Sequence, residues 1–89
     1  MRDGEVLDAS SLAALAKKTR ENAGKNRAQA ARDLGVSRPS IFYAEEHPER
    51  HLFQLRKRII DYYSDFTVIG PTYVLKTKPT ERLGNGDRA

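Results

Sequence analysis

Within six residues the chain sets Arg38, Pro39, Ser40 and Tyr43: a cation, a stiff ring, a hydroxyl and a phenol. A guanidinium can donate two parallel hydrogen bonds to one partner, as to the O6 and N7 edge of a guanine. A hydroxyl can bond to a base or a phosphate, and the rings of Pro39 or Tyr43 offer apolar contact to a thymine methyl. Those types suit the recognition of a nucleic-acid edge, not bond-making chemistry. Other reactive groups lead nowhere. His47 and His51 are four apart in "HPERH", a spacing that can place two imidazoles on one helical face. A metal site needs three or four ligands, however, and Pro48 interrupts that face. Glu45, Glu46 and Glu49 cluster beside arginines they would neutralise, with no acid/base pairing evident. No serine has a base and an orienting acid in a recognisable arrangement. The glycines are scattered, without a phosphate-cradling loop. The expectation is a protein that is not an enzyme and uses no metal or cofactor.

The elements that would hold those side chains follow from spacing. Leu12, Leu15, Ala16, Thr19 and Ala23 recur every three or four residues, which predicts a helix from Asp8 that stops at Gly24. Asn26 followed by Gln29 forms a capping-box pattern, opening a second helix over 27–34 that buries Ala30, Ala31 and Leu34. Gly35 suits the left-handed turn that ends it. Ser37 then caps a third helix over 38–45. Proline is tolerated in a helix's opening turn, where its missing N–H has no partner anyway, so Pro39 pins the start. Phe42 is read as a packing residue. Pro48 marks a fourth helix over 49–63, with Leu52, Leu55, Ile59 and Tyr62 or Tyr63 inward. The basic run Arg56, Lys57, Arg58 falls on wet faces. "FTVIGPTYVLKT" is β-branched and aromatic, so strands follow. Gly70-Pro71 is poor for a two-residue hairpin, which predicts a wider loop or a single strand near 72–77. Residues 1–8 and 78–89 read as flexible ends.

Bulk properties bound the partner. With 89 residues there is one small domain. Sixteen Lys and Arg against twelve Asp and Glu give net +4 and favour an anionic partner. Without cysteine, disulfides and thiolate metal sites are excluded. No apolar run approaches membrane-spanning length and "MRDGEVLD" lacks a secretory signal's apolar stretch, so the expected place is the cytoplasm, with no membrane partner.

A short helix, a glycine turn and a second short helix make a helix-turn-helix unit. Ala31, four before Gly35, allows close helix approach, Ile41, six after it, packs the second helix on the first, and Ala44 closes the stripe. On these residues "NRAQAARDLGVSRPSIFYAEE" resembles the Xre/Cro/phage-repressor family of DNA-binding domains, and the resemblance extends over roughly residues 10–60. It implies a mainly α fold: a four-helix lambda-repressor-like helix-turn-helix domain over 9–64, with a short C-terminal β-strand or hairpin over 65–77. It also implies a buried ion pair between Arg20 and Glu45. Two departures stand out: Arg27 replaces the usual glutamine at the start of helix two, and a strand-like segment replaces the usual fifth helix.

With Ile41 and Ala44 inward, Arg38, Pro39, Ser40 and Tyr43 are the expected base contacts. Arg27, Ser37 and, more weakly, Lys25 are the expected phosphate contacts. One such unit reads few base pairs, so a homodimer on double-stranded operator DNA is expected. An exposed β edge seeks a partner, which nominates Val68, Ile69, Tyr73, Val74 and Leu75 for the two-fold interface. The resemblance points to a transcriptional repressor. The rival is an antitoxin-like protein that neutralises a protein partner through its C-terminal segment; co-purification of a stoichiometric protein would reveal it.

Overall fold

The computed structural model describes residues 4, 7–69 and 74–78. The fold is mainly α. Its elements are α1 (Ala9–Asn22), α2 (Arg27–Leu34), α3 (Arg38–Glu46), α4 (Phe53–Tyr63), β1 (Phe66–Ile69) and β2 (Val74–Thr77). None of the described helices is long and apolar enough to cross a membrane.

Local chemistry explains the helix boundaries. The Asp8 carboxylate accepts the Ser11 amide at 2.7 Å and starts α1. Asn26 and Gln29 exchange side-chain and backbone bonds, both at 2.8 Å, and start α2. Gly35 ends it with φ at +68°, a conformation an L side chain rarely adopts. A Cβ there would meet nothing within 4 Å, so the backbone angle, not crowding, calls for glycine. Ser37 caps α3 by accepting the Ser40 amide at 3.2 Å, with Pro39 in the first turn.

The core is continuous across all six elements. Leu12 and Ala16 of α1, Ala30, Ala31 and Leu34 of α2, and Ile41 and Ala44 of α3 meet Ile59 and Ile60 of α4. Val68 and Leu75 complete it from the strands. β1 and β2 are antiparallel, with Val68 opposite Leu75 and Ile69 opposite Val74. Four residues therefore separate the strands, a connection wider than two residues. Alternation turns Val68 inward and leaves Ile69 half exposed.

Several expectations change. Residues 1–8 were expected to be flexible, yet Leu7 is buried in the core and the Gly4 amide donates to the Leu75 carbonyl at 2.6 Å. Lys78 was assigned to the tail, yet its amide donates to the Asp65 carbonyl at 3.0 Å and its ammonium to Ser64 at 2.8 Å. Residues 1–3, 5–6 and 79–89 lie outside the described residues, as does Tyr73. The fourth helix starts at Phe53 rather than 49, because Arg56 rearranges the chain before it. This arginine, expected on a wet face, is 3% exposed. It donates to the carbonyls of Ala44 at 2.8 Å, His47 at 2.8 Å and Arg50 at 3.0 Å. A helix running from 49 would have given the Arg50 carbonyl to the amide of residue 54; here the guanidinium takes it. The α3–α4 turn is thus built around one side chain.

Replacing Arg56 with Met keeps much of the apolar stem but removes three hydrogen bonds, leaving the Ala44 carbonyl without its described donor, while the His47 and Arg50 carbonyls keep only the backbone amides of Arg50 and Leu52. The expected loss is about 2–4 kcal/mol of stability, seen as a thermal midpoint lowered by roughly 10–20 °C for a chain this small. A midpoint within a degree or two of the parent would contradict the clamp.

Candidate nucleic-acid interface

α3 has two unlike faces. Ile41, Ala44 and Glu45 are buried, while Arg38 and Pro39 are exposed and Ser40 and Tyr43 half-buried. Arg38 sits at the N-terminal end of the helix, and among the described residues it makes no hydrogen bond or ion pair. Ser37 and Ser40 turn their hydroxyls toward each other at 2.8 Å, so each meets a ligand only through its remaining capacity. Lys25 is exposed beyond the end of α1, and its carbonyl accepts Arg20 at 2.7 Å.

The C-terminal end of α3 carries the opposite charge and is closely held. Arg20 donates from Nε to Glu45 Oε2 at 2.6 Å and from Nη2 to Oε1 at 2.9 Å. This bidentate pair is dry: the Glu45 side chain is 0% exposed and that of Arg20 7%. Hydrogen bonds to Glu45 hold the Arg20 proton more tightly than in free arginine, against the opposing effect of burial. Beside it, Glu46 accepts Lys17 at 2.8 Å. The Lys17 bond, with help from Arg27, keeps the Glu46 carboxyl below the usual carboxylate range. A depressed folded-state pKa stabilises the fold above the unfolded value and is lost as pH falls through the folded one. These contacts therefore weaken in acid.

Arg27, an expected phosphate contact, is held by carboxylates of its own chain. Its Nε donates to Glu45 at 2.9 Å and its Nη2 to Glu46 at 2.6 Å, while the guanidinium lies 5.1 Å over the Phe42 ring. It braces the far end of α3 instead of projecting freely. Phe42, expected to pack, is 39% exposed. Together Arg27, Arg38, Pro39, Phe42 and Tyr43 line one shallow groove along α3.

The proposed two-fold interface changes too. Val68 and Leu75 have no exposed surface, because they fill their own chain's core. Ile69 is 49% exposed and remains available, whereas Val74 is described only through its backbone pairing to Ile69. His47 lies at the end of α3 with Nδ1 2.9 Å from Glu49, and His51 falls in the following turn. No group of three or more metal-ligating side chains forms among the described residues. Arg50, not singled out by its position in sequence, stacks 4.2 Å over the Tyr43 ring. No signal in sequence spacing marks that contact, since the turn created by Arg56 delivers it. No known family model, characterised protein or solved structure matches this chain.

Arg20→Ala would leave Glu45 buried without its main partner, with an expected destabilisation of about 3–5 kcal/mol. Arg20→Lys should recover only part of this, because an ammonium cannot form the planar fork. Chemical denaturation at neutral pH measures both; an Arg20→Ala midpoint equal to the parent's would refute the pair's role.

Proposed function

We propose that this protein is a sequence-specific double-stranded-DNA-binding regulator of transcription that reads the major groove with α3. Two copies on paired half-sites would occlude a promoter, making it a homodimeric repressor in the cytoplasm. The observation that carries this reading is the uncovered tip of α3, where an exposed and unpaired Arg38 stands beside the rigid Pro39. A helix about 10–12 Å across fits a major groove of about 12 Å. In that pose Arg38 meets guanine O6 and N7, and Ser40 and Tyr43 approach neighbouring base edges. The Lys25 ammonium, the remaining capacity of the Ser37 hydroxyl and the amides at the helix N-termini would meet phosphates. The net charge of +4 favours the same partner. The resemblance to phage-repressor domains adds to this reading and alone supplies the direction of regulation.

Selection from a random duplex pool tests it. The expected product is an enriched motif containing a guanine. Arg38→Ala should lose discrimination at that base by about 5- to 150-fold, matching about 1–3 kcal/mol per good contact, with weak binding to unrelated DNA nearly unchanged at fixed salt. No enriched motif, or an equal loss on every sequence, would overturn the assignment. Stoichiometry is tested separately on the full chain, since removing the strands would remove Val68 and Leu75 from the core. Light scattering should give two chains per palindromic site; one chain per site would refute the dimer.

A further inference from the structure

Phe42 is an apolar ring left facing water on the same helix face as Arg38. Its neighbours fix it without covering it. The ring meets Tyr43 edge-on with centroids 5.5 Å apart and stands 5.6 Å from His47. The Arg27 guanidinium lies over it at 5.1 Å, and Arg50 lies over Tyr43 at 4.2 Å. Both distances fall within the range of cation–π attraction. Five bonds from Arg27, Arg20 and Lys17 to Glu45 and Glu46 keep the end of α3 still. The ring is therefore preorganised, so little side-chain freedom remains to be lost on contact.

The surroundings restrict what such a ring can meet. Guanidinium groups flank the apolar strip, which suits a polyanion better than a lipid tail or an apolar protein face. On a duplex, the base-pair edges of the major groove are polar apart from one group, the 5-methyl of a pyrimidine. Resting on the assignment of α3 as a recognition helix, we propose that Phe42 is a specificity-determining residue that reads a pyrimidine 5-methyl group. Its source is thymine or 5-methylcytosine. Position follows from geometry. Phe42 lies four residues beyond Arg38, about 6 Å along a helix rising 1.5 Å per residue. Base pairs rise about 3.4 Å, so the methyl lies one or two base pairs from the guanine that Arg38 meets.

The test uses the full chain and its selected duplex, with thymine exchanged for uracil one position at a time. Only the methyl group is lost. Burial of one such group is worth about 0.8 kcal/mol, so a single exchange, one or two base pairs from the guanine, should weaken binding about three- to fivefold. Cytosine and 5-methylcytosine at that position form the second arm: the methylated base should bind the tighter. If it also exceeds thymine, methylated cytosine is the source; otherwise thymine is. Phe42→Ala should bind thymine and uracil duplexes equally while keeping its preference for the guanine. Equal affinity of the parent for uracil and thymine at every position would overturn the proposal without requiring any variant to fold. So would a Phe42→Ala protein that keeps the thymine preference. Retained guanine preference without methyl dependence overturns the methyl contact alone; loss of all sequence preference in the parent overturns the recognition-helix assignment with it.

Discussion

Two buried guanidinium groups set the position of α3, and everything on its outer face depends on them. Arg20 grips the Glu45 side chain from α1, and Arg56 grips the carbonyls at and beyond the helix end from α4. The apolar contribution of α3 comes from Ile41 and the small Ala44, in one cluster with Leu12, Ala30, Ala31, Leu34, Ile59 and Ile60. Small residues permit close approach, but their attraction is non-directional and fixes orientation weakly. Forked hydrogen bonds are directional, and breaking them in a dry site leaves charge or carbonyl oxygen unsatisfied. Orientation of the outer face is thereby tied to the stability of the fold.

The charge order along α3 runs against its own dipole. A helix favours anions at its N-terminus and cations at its C-terminus. Here the first turn holds Arg38 with no acidic residue, and the last holds Glu45 and Glu46 with no basic one. The C-terminal conflict is offset internally by Lys17, Arg20 and Arg27. At the N-terminus, among the described residues, nothing offsets it. A cation held against the positive end of a helix gains most when an electron-rich group arrives from outside, such as the acceptor edge of a base. The same asymmetry would explain why the acidic end is so heavily braced: unneutralised carboxylates near a duplex would repel phosphate.

Much of the helix pattern was legible in sequence because its signals are local. Asn26 with Gln29, the left-handed Gly35 and Ser37 before Pro39 each determine a boundary through neighbours a few residues away. The departures arise where distant residues compete. Arg56 reads as one cation of a surface run, and only the approach of the α3 end makes it a clamp that delays α4 to Phe53. Arg27 reads as a free cation at a helix start, and only the placement of Glu45 and Glu46 against α2 draws it inward. Phe42 looks like core because it is apolar. The stripe that Ile41 and Ala44 occupy leaves its direction facing out. Val68 and Leu75 read as an adhesive edge, but the domain consumes both, and the Gly4 amide occupies the Leu75 carbonyl.

The central claim is that the tip and outer face of α3 meet base edges. Chemical-shift mapping of the labelled protein during titration with its selected duplex tests it most directly. The account predicts that the largest backbone and side-chain perturbations fall on residues 37–43, including the Arg38 guanidinium, with the outer surface of β1 little affected. Perturbations centred on Tyr62 and Ile69, or spread evenly over the surface while residues 37–43 stay unmoved, would contradict it.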